Sequence, residues 1–381
     1  MSDGDTPIEI HRGLKGVYFD RSEVCDIDGR RGELRYRGYS IHDLARHSTF
    51  EETCCLLLDG DLPTRARLDA FDAELRAART LPGEVIDVIR TVRHAHPMDV
   101  LRTAVSALAA FDPDTADASP QAVRRKGLRL TSQVPIIVAT HEHLRNGRPP
   151  VPPDPALPHA ANFLWMLQGR RPSEDAARLM DVDMVLHAEH GSNASSFAAR
   201  VVAGTEADLH AALTAAIAAL SGPAHGGAAE NVMHMAREIG DPANAAAYVR
   251  AKRAAGEPIM GFGHRVYRAE DPRARHMRDG VERLSRELGQ PQWYRILEAL
   301  VAAMSRYARL GVAVNVDFYA GVVYYLNGIA PDLFVPIFAA GRTPGWTVSV
   351  LEQTRSNILI RPLTQYVGPP PRAYVPIAER G

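Results

Sequence analysis

Apolar residues recur at helical intervals along almost the whole of this chain, and that periodicity constrains its fold more than any other feature. Leu209, Leu213, Ile217 and Leu220 follow one another at steps of four, four and three. Thr205-x-x-Asp208 opens that run with the spacing of a helix cap, and Ser221-Gly222-Pro223 closes it. Ser40-x-x-Asp43 and Thr49-x-x-Glu52 have capping-box spacing, with Gly60 as a stop. Leu68, Phe71 and Leu75 share one helical face, as do Val100, Leu101, Val105 and Leu108. Only "ELRYRGY" (Glu33 to Tyr39) alternates like a strand. With no βαβ alternation a parallel sheet is not expected, and the fold class expected is mainly α. A chain of 381 residues exceeds the usual single domain, so a large helical domain with a smaller one is expected. The proline-rich "RNGRPPVPPDPALP" reads as a surface loop between helices.

The charge balance excludes whole classes of function. A net charge of −1 argues against nucleic acid or a membrane surface as partner, so any anion site must be local. Lysine occurs only at Lys15, Lys126 and Lys252, which leaves little room for Schiff-base chemistry. Cys25, Cys54 and Cys55 form neither a disulfide framework nor a C-x-x-C site and read as small buried apolar residues. The acidic start "MSDGDTPIEI" has no signal pattern, and no apolar run approaches ~18 residues. A cytoplasmic location is expected.

Polar residues concentrate in a few otherwise apolar segments. "HAEHGSNASS" carries His187 and His190, three apart and expected on one helical face. Hydrogen-bonded helix histidines, zinc ligands or substrate-facing imidazoles would each fit, although H-E-x-x-H spacing is absent. His225 in "GPAHGGAAEN" precedes a helix, whose N-terminal dipole disfavours imidazolium and leaves a neutral hydrogen-bond donor. In "GFGHRVYRAEDPR" (Gly261 to Arg273), Gly261 and Gly263 allow backbone to approach a ligand, without forming a dinucleotide fingerprint. Arg265 and Arg268 can meet phosphates, and Arg273 can grip a carboxylate through its planar fork. Asp317 in "NVDFYAGVVYYL" lies among apolar and aromatic residues, where a carboxylate is pushed toward the range of a working base. Arg342 and Arg361 each interrupt an apolar run and call for an anionic partner, either a ligand or an internal carboxylate. Neutral histidines, one buried carboxylate and several arginines suit proton abstraction beside a carbonyl and attack of the enolate on a polycarboxylate.

Those segments carry a family resemblance. Gly261 to Arg273 matches the signature G-[aromatic or small]-[GA]-H-x-[IV]-x-[RK]-x-x-D-P-R, and "GLKGVYFD", "LDGDLPT", "HPMD" and "RPLTQYVGP" extend the likeness over nearly the whole chain. The sequence resembles the citrate synthase family, in particular its short bacterial citrate synthase and 2-methylcitrate synthase members. The resemblance implies that His225 hydrogen-bonds the acetyl thioester oxygen, Asp317 takes the methyl proton and His264 polarises the oxaloacetate ketone. It implies that His190, Arg273, Arg342 and Arg361 hold the carboxylates, Arg361 coming from the partner subunit of a homodimer. Ile259, Met260, Gly261, Phe262 and Gly263, with Arg265 and Arg268, would bind coenzyme A. His187 and Asn193 would support the site and Phe338 would wall it; Arg65 would be a substrate position. Acetyl-CoA would be a co-substrate, with no permanently bound cofactor and no metal. The implied fold is a large helical domain (1–221 and 318–381) over which a small one (222–317) closes. Ala229, Ser196, Ala320 and Leu363 depart from the family's common residues without touching the listed roles.

Three other readings fit parts of the sequence. A 2-methylcitrate synthase would use propionyl-CoA, and one methylene in an apolar pocket is worth only ~1–3 kcal/mol. Here His187 leans toward citrate and Arg65 the other way. A metal-dependent hydrolase would use the same histidines and aspartate. A catalytically idle helical dimer would have little use for His225, His264 and Asp317 together.

Overall fold

The computed structural model describes residues 9–14, 16–308 and 310–380; the N-terminal acidic stretch up to residue 8 and Lys15 lie outside the described residues. Sixteen α-helices, four short 3-10 helices and one small antiparallel sheet make up the regular structure among them. Strand Cys25–Asp28 pairs with Glu33–Tyr36, Cys25 opposite Tyr36, and Glu33–Tyr36 pairs with Tyr39–Ser40. No described helix is long and apolar enough to cross a membrane.

Caps set the helix limits. The Thr49 hydroxyl accepts the Glu52 N–H at the start of Phe50–Asp59, and Gly60 ends that helix with φ 102°, a conformation a side chain would strain. Ser40 likewise caps Ile41–His47. The cap expected at Thr205 is instead Asp208, whose carboxylate accepts from His210 (2.8 Å) and Ala211 (3.1 Å) at the start of Leu209–Leu220. Asp208 adjoins the first turn and adds a charge favourable to the helix dipole, while Thr205 closes the preceding helix Ala194–Gly204. The proline-rich segment joins Pro120–Arg145 to His159–Gln168 as a loop.

Two long helices, Pro120–Arg145 and Phe334–Arg355, form the middle of the core. They meet where Gly127 lies against Thr347: a Cβ on Gly127 would stand 2.1 Å from Thr347 Cγ2. Phe334–Arg355 also packs on Glu174–His187, where Gly345 gives the room, since a Cβ there would be 2.1 Å from the Ala188 carbonyl oxygen. This close approach brings Phe338, Arg342 and Trp346 to the end of the histidine segment. The helix there stops at His187, so His190 lies beyond it and does not share a helical face with His187 as expected. The Tyr36 hydroxyl lies 3.1 Å from the Leu186 carbonyl, 2.8 Å from the Glu189 carbonyl and 3.3 Å from the Glu189 N–H. It thereby satisfies backbone groups that the helix releases where it ends.

Candidate active site

The glycine-rich signature is held as a loop by pairing with residues 313–316. Gly263 N–H donates to Ala313 O (2.7 Å), Asn315 N–H to Gly261 O (2.9 Å) and Asp271 N–H to Val314 O (3.1 Å). Gly261 has φ 78°, and a Cβ on it would come within 2.6 Å of the Phe318 ring. The pairing presents His264 and Asp317 from adjacent segments. His264 Nδ1 accepts the N–H groups of Val266 (3.0 Å) and Tyr267 (3.3 Å). Two donors on Nδ1 leave the ring hydrogen on Nε2, so His264 offers one defined donor. Burial, with Arg273 nearby, lowers its pKa to about 4 and keeps it neutral.

His225 precedes helix Ala228–Ile239 and is also neutral, its pKa lowered to about 4 by burial and by Arg342. Its Nε2 faces the Ser195 hydroxyl (2.9 Å) and the Ser195 N–H (3.3 Å). A backbone N–H only donates, which favours the tautomer with hydrogen on Nδ1. Ser195 is fixed in turn by Trp346 Nε1 (3.0 Å) and by Asn193 Oδ1 (2.7 Å), the N-cap of Ala194–Gly204. Asp317 opens helix Asp317–Leu326 half-buried, and burial raises its pKa against the opposing pull of His187 and Arg273.

His187 Nδ1 lies 2.9 Å from the Asp183 carbonyl, and its buried Nε2 has no partner among the described residues. Its ring meets Phe338 edge-on, centroids 4.7 Å apart. His190 lies 5.2 Å from the His264 ring, and its Nε2 is 3.0 Å from the Tyr267 hydroxyl. Burial and the nearby Arg273 lower the His190 pKa.

The arginines differ in their partners. Arg273, 3% exposed, is held by Asp271 through Nε (2.9 Å) and Nη2 (2.7 Å), so an internal carboxylate already takes one edge of its fork. Arg342, 1% exposed, forms no ion pair among the described residues; it donates to the His187 carbonyl and stacks over Phe338 at 4.8 Å. The Glu189 carboxylate is buried nearby, its Oε2 unpartnered and its pKa raised to about 7 by burial. A buried guanidinium with so little compensation is arranged for an anion.

Ile259 is buried, Met260 and Phe262 are half-buried, and Arg265 and Arg268 are exposed at the loop's outer edge. Arg65 is not brought to this cluster: it is exposed at the start of Arg65–Ala77, 3.9 Å from Asp69. Arg361 lies in the exposed tail that follows Phe334–Arg355. Among the described residues no group of three or more His, Cys, Asp or Glu is arranged to hold a metal. Sequence reasoning overlooked Tyr267, Ser195, Asp183 and Glu189. The aromatic at 267 lies inside the signature and could have been found; the others touch the histidines only through the fold.

A family model described as "Citrate synthase, C-terminal domain" matches residues 13–363. A citrate synthase of Deinococcus radiodurans is 43% identical, covering 97% of this chain and 99% of its own. A 2-methylcitrate synthase of Mycobacterium tuberculosis is 44% identical over 94% of this chain and 91% of its own. Among solved structures, the citrate synthase of Pyrobaculum aerophilum superposes with a TM-score of 0.93 at 39% identity, covering 97% of this chain and 95% of that one. The citrate synthase of Thermoplasma acidophilum, solved with carboxymethyl coenzyme A and oxaloacetate, gives 0.91 at 32% identity, covering 98% of this chain and all of that one.

Proposed function

This chain belongs to the citrate synthase family, and from that premise we propose that it condenses acetyl-CoA with oxaloacetate to citrate and free coenzyme A. One observation supports the reading above others: two imidazoles kept neutral stand beside two buried guanidiniums, one of them without an ion pair among the described residues. That set can bind a dicarboxylate and still offer uncharged donors to two carbonyl oxygens.

In this reading Asp317 removes a methyl proton from the acetyl thioester while His225 donates a hydrogen bond to the thioester oxygen. The enol carbon then attacks the ketone carbon of oxaloacetate. His264, through Nε2–H, stabilises the developing alkoxide and supplies its proton. Water cleaves the citryl thioester and releases the thiol. His190, Arg273 and Arg342 hold the carboxylates, joined by Arg361 from the partner of a homodimer. The Gly261–Gly263 turn with Arg265 and Arg268 takes coenzyme A, and a domain of residues 222–317 closes over the rest, excluding water from the enol. His187 and Asn193 position these groups.

The test follows thiol release from acetyl-CoA with and without oxaloacetate, in the presence of EDTA. Release that requires oxaloacetate and survives EDTA fits the proposal; release abolished by EDTA points to a metal hydrolase. A parallel run with propionyl-CoA tests the second reading, to which the M. tuberculosis relative lends weight. A larger kcat/KM for propionyl-CoA would make the chain a 2-methylcitrate synthase.

A further inference from the structure

The turn between the first two strands, residues 29–32, packs on the loop that carries His264. Gly29 O accepts the N–H of Arg268 at 2.7 Å. The two backbones are so close that a Cβ on Gly29 would stand 2.4 Å from the Val266 carbonyl oxygen and 2.9 Å from its carbon. Beside it, a Cβ on Gly32 would lie 2.9 Å from the Glu270 carbonyl oxygen. The turn has its own internal brace: Asp28 Oδ1 accepts the N–H groups of Arg30 and Arg31, both at 3.0 Å. Further along both segments, His42 of helix Ile41–His47 meets His276 of helix Ala274–Glu287, Nδ1 to Nε2 at 2.7 Å.

The pinned segment does specific work. Val266 and Tyr267 supply both N–H groups that His264 Nδ1 accepts, and the Tyr267 hydroxyl meets His190. We propose that the hairpin turn, through Gly29, is a positioning element for His264: by holding the Arg268 N–H it seats residues 266–268 so that the Val266 and Tyr267 N–H groups fix the ring in its Nε2–H form and aim it at the substrate ketone. On the division of domains proposed above, the turn belongs to the large domain and the loop to the small one. Docking of the turn then joins domain closure to preparation of the electrophilic histidine. The inference rests on the role given to His264 in the proposed function, and its test separates the two.

Gly29→Ala must lift the turn from Val266, because the obstructing atoms are backbone on both sides. Histidine nitrogen NMR on the full-length protein reads the tautomer and titration of His264 directly. We expect mixed tautomers in place of one, a titration midpoint raised by at least about one pH unit as the two donors leave Nδ1, and kcat lowered at least about tenfold by misaim. Arg30→Ala, an exposed neighbour in the same turn, should change none of these. Asp28→Ala, which loosens the turn without a clash, should move all three in the same direction by less, and it carries the test if Gly29→Ala fails to fold. An unmoved His264 signal overturns the positioning role, whatever happens to turnover. A moved signal with unchanged kcat upholds the positioning and instead removes His264 from the chemistry.

Discussion

Asp317 is the residue on which the proposed chemistry turns, and two opposing influences set its basicity. Burial raises its pKa, while His187 and Arg273 hold the rise in check. Both imidazoles of the proposed mechanism stay neutral down to about pH 4, so an acid limb of kcat above that point should come from the buried carboxylates. These are Asp317, inactive once the base takes a proton, and Glu189, whose pKa is raised to about 7; Glu189→Gln, which leaves Asp317 in place, separates the two. Asp317→Asn should lower kcat by at least ~10²-fold with oxaloacetate binding retained, as measured by calorimetry. Near-normal turnover in that variant would remove it as the base. Arg265 and Arg268 are exposed at the edge of the loop, away from Arg273, so changing both to Ala should raise KM for acetyl-CoA far more than KM for oxaloacetate. The difference should shrink in high salt, where such contacts are already screened; equal rises for both substrates would count against a coenzyme A role. At this scale the sequence was informative where chemistry is local. His264, Arg273 and Asp317 stand in short, recognisable segments. Asp183, Ser195 and Glu189 did not stand out, because their meaning comes from what lies against them: a serine becomes notable only once it touches His225, Asn193 and Trp346.

Helices were legible because apolar period and caps agree, as at Thr49 and Gly60. The misplacement of the Thr205 cap and of the helix end near His190 has one cause: termini are decided by whichever polar group reaches the free backbone, and Asp208 and Tyr36 do so here. The spacing between helices was not legible, since it depends on which glycines face a neighbour. Gly345 makes that testable. Replacing a mid-helix glycine by alanine gains up to ~1 kcal/mol of helix propensity, and overpacking typically costs ~1–3 kcal/mol. Here the new Cβ would meet a backbone carbonyl, Ala188 O at 2.1 Å, as well as Glu189 Oε2 at 2.4 Å. Backbone cannot turn aside as a side chain can, so the clash should win. Gly345→Ala should lower the Tm, and, because Ala188 lies two residues before His190, it should also raise KM for oxaloacetate. Gly83→Ala, at the start of helix Gly83–Thr91 with nothing within 4 Å of its new methyl, is the clash-free control: it should leave KM unchanged and should not lower the Tm. A variant at 345 as stable as the parent would show that the helix pair has slack.

The whole molecule leaves its C-terminal segment without a surface of its own. After Phe334–Arg355, Gln353 Nε2 binds the Ile358 carbonyl (3.0 Å) and Asn357 Nδ2 binds the Gly204 carbonyl (3.3 Å), which fixes the direction in which the chain departs. Beyond that point Leu363 is 88% exposed, Tyr366 76% and Val367 87%, more apolar surface than a free tail has reason to display. Arg361 lies within this stretch, so the proposal of a shared site gives the tail both a place to lie and a charge to deliver. In a two-fold dimer such an exchange is reciprocal. Two inactive variants, Arg361→Ala and Asp317→Asn, can therefore be mixed, dissociated and re-associated in equal amounts. If Arg361 acts in trans, one site of each heterodimer collects both defects and the other collects neither. Half of the dimers are then hybrid with half of their sites intact, and roughly a quarter of the wild-type activity should return. If Arg361 serves its own subunit, every site keeps one defect and the mixture stays as inactive as its components. With heterodimers confirmed by native mass spectrometry, that second outcome would reject the exchanged tail while leaving the proposed chemistry of Asp317 and His264 intact.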